Sequence, residues 1–245
     1  MVGVLVRPDV TAAHVRVSNA RLKLIMAVSG IVFIGYVAVH MVGNLKVYLG
    51  AKAMNDYAGF LRELLVPLLP HEWVLWAFRA ILLLCLVGHI GAAWILTVRA
   101  RASGSTRTSR GRQVVWWRSF ASRTMPVSGI VIAAFIVFHI LDLTLGTTGA
   151  AGFRHPETIG GETRYFAYQN LVASFQRPVV AVFYMIAMVL LGAHLLHGAW
   201  AVVNDLGVTG DRLRRVAWVA GTVVAAVVMV GNISIPLAVM IGWVG

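Results

Sequence analysis

Charged residues are scarce in this chain. Asp, Glu, Lys and Arg make up 12% of its 245 residues, about half the share of a soluble globular domain. Hydrophobic residues reach 59%, and the mean hydropathy is +0.81. This composition excludes a soluble enzyme and a disordered chain. The single cysteine, Cys85, excludes an internal disulfide, a covalent CxxCH haem site and a cysteine-ligated iron–sulfur cluster.

Acidic residues are the rarer of the two charged classes. Nine Asp and Glu stand against 21 Lys and Arg, which gives a formal net charge of +12. On a soluble protein this excess would indicate nucleic-acid binding. Here the basic residues cluster between apolar runs, which is typical of membrane topology instead. We therefore expect a lipid bilayer environment and no nucleic-acid partner.

Long apolar runs are what the chain has in abundance. A transmembrane helix needs about 20 mainly apolar residues, and five stretches meet this length. The first run is too long for a signal peptide and lacks a small-residue cleavage site. We predict an all-α integral membrane bundle, one domain over residues 1–245, with no obvious internal repeat. The predicted spans are residues 24–49, 73–98, 126–145, 178–203 and 216–243.

The connections between spans differ in charge. Most basic residues lie in the N-terminal segment and in the second and fourth connections, which predicts the N-terminus inside and the C-terminus outside. The outer connections are less basic. Residues 51–65 have the pattern of a short amphipathic helix on the membrane, and residues 147–177 that of a loop with a helical tail.

Five of the eight histidines fall within predicted spans, where an ionisable side chain is costly and is by default a functional candidate. At 1.5 Å per residue, His40 and His139 lie roughly 25 Å from the inner boundary. His89 and His194 lie roughly 15–17 Å from it. The four form two levels about 10 Å apart, each with histidines from two different helices. His197 shares a helix face with His194, and spacing alone leaves the choice between them open.

Two facing imidazoles are what a six-coordinate b-type haem requires, because the porphyrin supplies the other four nitrogens. Helix bundles bind such cofactors between facing helices. The sequence therefore predicts two haems stacked across the membrane, able to carry electrons between its faces. Small residues beside the histidines would allow a macrocycle to approach the backbone; they are Gly43, Gly88, Gly91 and Gly192. The alternative for each histidine is a hydrogen bond to a carbonyl, or to a Ser or Thr side chain, of a neighbouring helix.

These segments together resemble the single-chain, five-helix cytochrome b subunit of succinate dehydrogenase and menaquinol:fumarate reductase. The matching pieces are Ala38-Val39-His40, Leu86-Val87-Gly88-His89, Ile136-Val137-Phe138-His139 and Ala193-His194-Leu195-Leu196-His197-Gly198-Ala199-Trp200. The resemblance implies that His89 and His194 bind the inner haem and that His40 and His139 bind the outer one. It also favours His194 over His197.

The resemblance further implies partners and a location. The chain would anchor a flavoprotein with FAD and an iron–sulfur subunit in the cell membrane of a prokaryote, and would exchange electrons with quinone, expected to be menaquinone. Nothing in this sequence binds FAD or iron–sulfur clusters itself. The basic inner face suits an acidic soluble partner.

A quinone site needs a boundary slot and hydrogen-bond donors. The outer candidates are Glu63, Glu72 and Arg79, and the inner candidates are Ser29, Ser18 and Arg21. Asp142, three residues after His139, would serve either as a proton acceptor or as an ion-pair partner of Lys46. Propionates of an inner haem would meet donors near the start of the third span, namely Trp116, Trp117, Arg118 and Arg123.

Two other functions compete with this interpretation. Cytochrome b subunits of hydrogenases or formate dehydrogenases usually place two ligands on one helix, which only the pair His194 and His197 could imitate. A haem-free transporter could use the histidines as a proton relay, and would be expected to carry broken helices and an inverted repeat.

Overall fold

The structure is a computed structural model that describes residues 17–103 and 116–245, with side chains described from residue 124 in the second range. It is predominantly helical, which confirms the predicted all-α class. The helices are α1 (Asn19–Asn44, continued by a 3₁₀ turn Leu45–Leu49), α2 (Ala51–Glu63), α3 (Trp73–Ala102), α4 (Trp116–His139, continued by a π turn Ile140–Thr144), α5 (Ala167–Phe175), α6 (Pro178–Asp205) and α7 (Asp211–Met240).

Five helical segments are long and apolar enough to cross a membrane, as the sequence predicts. The observed bounds differ from the predicted ones by at most about five residues, mostly because polar residues extend the helices past the apolar run. The segments are Asn19–Leu49, Trp73–Ala102, Thr124–Thr144, Pro178–Asp205 and Asp211–Met240.

Helix starts follow local sequence signals. The Ser18 hydroxyl accepts a hydrogen bond from the Arg21 amide at 3.3 Å and caps α1, as N-terminal serines commonly do. Pro178 occupies the first turn of α6, where its missing amide hydrogen costs nothing. Asp211 opens α7, where a negative charge favours the helix dipole.

Polar contacts define two ends of the bundle. We call the end where α1 begins the near end and the end where α1 stops the far end. At the near end, Arg99 of α3 donates to Asn19 of α1 at 2.7 Å. Lys23 pairs with Asp205 of α6 at 3.0 Å. The near end therefore joins the start of α1 to the last turns of α3 and α6, so that α3 and α6 run antiparallel to α1.

Helix α6 lies at the centre of the packing. It contacts α7, α1 and α4, while α3 packs mainly on α1 and meets α4 at few points. Its buried face includes the small residues Ala181, Ala187 and Gly192. Small residues allow close helix approach within a bilayer. The first four spans thus surround an interior to which each contributes one of the predicted ligands.

The far end is covered by short elements. Helix α2 confirms the helix predicted at residues 51–65, and it contacts α5 through Asn55, which donates to Gln169 at 3.0 Å and accepts from the Tyr168 amide at 3.0 Å. The predicted loop at 147–177 does end in a helix, α5. It also contains a hairpin of two three-residue strands, β1 (Glu157–Ile159) and β2 (Glu162–Arg164), which short-range periodicity does not indicate.

A buried carboxylate ties the far end together. The side chain of Asp142 is fully buried in the π turn after α4. It accepts hydrogen bonds from Ser174 at 2.5 Å and from Tyr184 at 3.0 Å, and also from Thr148 and Arg177. Asp142 therefore pairs with Arg177 and not with Lys46. Lys46 lies instead over the Tyr57 ring, 5.1 Å from its centre.

Replacing Asp142 with Ala should strongly destabilise the protein, because Arg177, Tyr184 and Ser174 would lose their shared acceptor. Removing one partner of a buried ion pair costs on the order of 3 kcal/mol. Thermal unfolding in detergent should show a clearly lower Tm for Asp142→Ala. The matched control is Asp56→Ala, since the Lys52–Asp56 pair is exposed and its loss should leave the Tm nearly unchanged. Equal Tm values for the two variants would contradict this role of Asp142.

Candidate functional site

Two of the predicted ligands meet near the far end. The ring centres of His40 on α1 and His139 on α4 are 5.9 Å apart, and the ring planes are nearly perpendicular at 89°. Two imidazoles that share one metal, with metal–nitrogen bonds of about 2 Å, have ring centres roughly 6 Å apart. The separation of this pair is that of two imidazoles on one metal, and it is also that of ordinary edge-to-face ring packing. We call His40 and His139 the far pair.

One ring nitrogen of the far pair lacks a partner. Nδ1 of His139 is buried and makes no hydrogen bond within the described part of the chain. A buried polar atom without a partner is unusual and costly. This observation disfavours the alternative in which His139 simply bonds to a neighbouring helix.

Aromatic rings hold the far pair in place. Tyr36 stacks on His40 with ring centres 5.4 Å apart, and Phe135 lies 5.8 Å from His139. Each aromatic residue precedes its histidine by four positions, so the two share a helix face. Tyr184 approaches His139 to 6.0 Å from α6. Because Tyr184 also donates to Asp142, the far-end hydrogen-bond cluster helps to position His139.

The other two predicted ligands each make the contact that the alternative expects, a hydrogen bond with a serine of a neighbouring helix. Nδ1 of His89 on α3 lies 2.9 Å from the hydroxyl of Ser29 on α1, and Nδ1 of His194 on α6 lies 3.0 Å from the hydroxyl of Ser128 on α4. We call His89 and His194 the near pair. Both are half-buried.

His194 and His197 differ in their contacts. The serine bond engages His194, whereas within the described residues no hydrogen bond is found for His197. His194 is therefore the member of the two that matches His89. The choice of His194 over His197 as the ligand still depends on the resemblance.

Two of the four glycines predicted to lie beside a macrocycle, Gly43 and Gly192, instead pack against other side chains. A Cβ at Gly43 would lie 2.7 Å from the Tyr57 ring, and one at Gly192 would lie 3.0 Å from Met229. These two glycines allow α1 and α6 to approach neighbouring elements, so the prediction that they face a macrocycle is wrong. The glycines that lie beside near-pair imidazoles are Gly30 and Gly129, where a Cβ would sit 3.9 Å from Cε1 of His89 and 3.7 Å from Cε1 of His194.

A five-residue sequence repeat marks the two serine contacts, although the hydropathy pattern alone does not reveal it. Residues 28–32 and 127–131 both read Val-Ser-Gly-Ile-Val. In each helix the serine precedes the far-pair histidine by 11 residues, and the aromatic residue at Tyr36 or Phe135 stands at the same offset. This short internal repeat relates α1 to α4, and it corrects the expectation that the chain has none.

The outer quinone candidates are only partly brought together. Glu72 accepts from Arg62 at 3.1 Å just before α3 begins. The guanidinium of Arg79 lies 4.6 Å from the centre of the Trp76 ring. An open cleft of about 370 Å³ at the start of α3 is lined by Trp73, Trp76 and Ala77. Glu63 is exposed at the last residue of α2.

A tyrosine joins this far-end group. The Arg62 guanidinium lies 4.4 Å from the centre of the Tyr165 ring, and the Tyr165 hydroxyl is 3.4 Å from Nε2 of His71. Partial burial raises the pKa of Tyr165, while the Arg62 charge opposes that shift. Its hydroxyl is therefore protonated at neutral pH and can donate a hydrogen bond.

The near-end quinone candidates lie elsewhere. Ser29 faces His89, and Ser18 and Arg21 form the cap of α1. The structure does not bring these three residues into one pocket within its described ranges. The donors expected for propionates, Trp116, Trp117, Arg118 and Arg123, have side chains outside the described residues.

Metal binding by protein side chains alone has no support in the described ranges. Among residues 17–103 and 124–245, no group of three or more His, Cys, Asp or Glu side chains converges as a metal site. A porphyrin iron needs only two protein ligands, because the macrocycle supplies four nitrogens. The far pair and the near pair are both of that size.

Comparisons of this chain with protein-family models, with curated proteins and with solved structures found no match. The function must therefore be inferred from the chemistry of these side chains and from the resemblance carried by the four histidine segments.

Proposed function

We propose that this protein is a membrane electron carrier that holds two b-type haems, one between His40 and His139 and the other between His89 and His194. The observation that carries the proposal is the close approach of two histidines from α1 and α4, at the spacing of one shared metal, within helices apolar enough to span a bilayer. Haem iron supplies one-electron chemistry, and the protein's task is to hold it, orient it and exclude water.

The arrangement of ligands over the helices supports two sites and not one. The far pair comes from α1 and α4, and the near pair comes from α3 and α6. Ser29 and His40 are 11 residues apart on α1, which is about 16 Å along the axis and close to three full turns. The two levels therefore occupy the same side of α1 at well-separated depths.

Within this class, we propose that the chain is the cytochrome b subunit of a succinate:quinone oxidoreductase. The support is the resemblance of the four histidine segments and the absence of histidine from the sequence of α7. In such a complex the dehydrogenase chemistry belongs to a flavoprotein with FAD and an iron–sulfur subunit. The basic near end, with Lys23, Arg99 and Arg214, suits the docking of these partners.

We place the candidate quinone site at the cleft beside the start of α3. Its walls, Trp73 and Trp76, are apolar and flat, as a quinone ring requires. Arg79, whose guanidinium lies over the Trp76 ring, can donate to a quinone carbonyl oxygen. Glu72, which directly precedes Trp73 and pairs with Arg62 at 3.1 Å, can exchange a proton with the aqueous phase.

The haem proposal predicts a spectrum. A reduced-minus-oxidised difference spectrum of the purified complex should show b-type absorption, with two haems per chain because there are two ligand pairs. Haem is quantified against protein in the same sample. A sample without b-type absorption would remove the proposal and favour the proton-relay transporter, and one haem per chain would remove the two-level arrangement.

The pairing of ligands predicts which haem each variant loses. His89→Ala and His194→Ala should each lose the near haem and retain the far one, while His40→Ala and His139→Ala should do the opposite. Redox titration of each purified variant distinguishes the two haems by midpoint potential. His197→Ala is the matched control and should retain both haems. Loss of the near haem in His197→Ala but not in His194→Ala would reverse the ligand assignment.

Quinone binding in the cleft predicts that a change at Arg79 raises the KM for quinone. Arg79→Gln should raise the KM for quinone about tenfold, because a charge-assisted hydrogen bond contributes roughly 1.5–3 kcal/mol. Steady-state quinone reduction by the complex measures this, with haem content as a check on assembly. Arg164→Gln, on the exposed strand β2, is the control. Equal KM values for Arg79→Gln and the wild type would place the quinone site elsewhere.

A further inference from the structure

We propose that Ser29 and Ser128 are positioning residues that fix the tautomer of His89 and His194 and thereby lower the reduction potential of the near haem. The proposal rests on the proposed function, since it concerns the same ligands. It assigns a role to two hydroxyls that the pairing of histidines leaves unexplained.

The direction of each serine–histidine bond follows from counting protons. The Ser29 hydroxyl donates to the carbonyl of Ile25 at 2.6 Å, and the Ser128 hydroxyl donates to the carbonyl of Met125 at 3.0 Å. A hydroxyl has one proton to donate. We infer that this proton is directed to the helix carbonyl, since the Ser29 and Ile25 oxygens are only 2.6 Å apart. Each serine oxygen then accepts from the histidine, and Nδ1 carries the imidazole hydrogen.

The tautomer decides which nitrogen can bind a metal. A neutral imidazole has one N–H and one free lone pair. When Nδ1 holds the hydrogen, Nε2 holds the lone pair and is the metal-binding atom. An acceptor on Nδ1–H also fixes the ring orientation. Ser29 and Ser128 thus prepare Nε2 of both near-pair histidines in the same way.

The same serine–histidine contact occurs twice, once from α1 and once from α4. The Val-Ser-Gly-Ile-Val segments of α1 and α4 each place a serine against a histidine of the next long helix, which is α3 for α1 and α6 for α4. Each serine uses a carbonyl three or four residues earlier. A chance contact would not be expected at equivalent positions of both repeats, so the geometry points to a role for the hydroxyls.

The far pair and the near pair differ in whether Nδ1 of the histidine has a hydrogen-bond partner. Nδ1 of His139 has no hydrogen-bond partner among the described residues, and His40 stacks on Tyr36. A hydrogen bond from Nδ1–H to an acceptor makes the imidazole a more basic ligand. A more basic ligand stabilises oxidised iron and lowers the potential. Removal of a serine hydroxyl should therefore raise the potential of the near haem and leave the far haem unchanged.

The experiment is a redox titration of the whole complex carrying Ser29→Ala or Ser128→Ala. Each variant should have a higher near-haem midpoint, with the ratio of reduced to oxidised haem at a given potential increased about tenfold, equivalent to about 59 mV for one electron. Ser29→Thr and Ser128→Thr retain the hydroxyl and should restore the wild-type value. A merely structural role would not produce this pattern of shift and rescue.

The matched control is Thr97→Val. The Thr97 hydroxyl donates to the Ala93 carbonyl on α3 at 2.7 Å, as the serines do to theirs. Within the described part of the chain it contacts no histidine nitrogen at hydrogen-bond distance, so its removal tests the loss of a helix-bonded hydroxyl alone. Both midpoint potentials should remain at wild-type values.

Several results would overturn the proposal. Unchanged near-haem potentials in assembled Ser29→Ala and Ser128→Ala would do so, and so would an equal shift in Thr97→Val. If the alanine variants fail to assemble, Ser29→Cys and Ser128→Cys, with a weaker acceptor of similar size, should shift the potential in the same direction, and a wild-type value there also overturns it. Failure of the proposed function is distinguishable, because the wild-type complex would then contain no haem.

Discussion

A polar group inside a bilayer must find its partner within the protein, and this constraint governs the whole bundle. It makes the spans helical, since a helix satisfies the hydrogen bonds of its own backbone. It also explains why Asp142 collects four donors at the far end and why the near-pair histidines bond to serines. His139 is the exception, with a buried ring nitrogen that no described residue satisfies. This unpaired atom is one of the observations, made among the described residues, that support the proposed far ligand site.

The four candidate ligands come from two pairs of helices. Helices α1 and α4 supply the far histidines and the near serines, while α3 and α6 supply the near histidines. Each level is therefore built from elements of both halves of the chain, and neither half could hold a haem alone. In the proposed function, haem binding would depend on the packing of α1 against α3 and of α4 against α6. Conformational order and electron transfer would then depend on the same contacts.

Several features could be predicted from the sequence because they depend on composition and on distance along one helix. The five spans follow from the lengths of apolar runs. The two histidine levels follow from the 1.5 Å rise, and the approach of His40 to His139 agrees with that estimate. The partners of side chains could not be predicted in this way. The sequence predicts that Gly43 and Gly192 face a macrocycle, but they contact Tyr57 and Met229, because helix rotation is set by packing against neighbours.

The sequence by itself determined that the chain forms five helices apolar enough to span a membrane, with histidines at two depths, since hydropathy and helical rise act locally. Only the tertiary structure decided which groups meet. It paired Asp142 with Arg177 in place of Lys46, joined His194 and not His197 to a serine, and placed Ser29 against His89, 60 residues away. These contacts depend on how each helix is rotated about its axis and on which helices it packs against. Both are set by the summed packing of the bundle, which no single segment encodes.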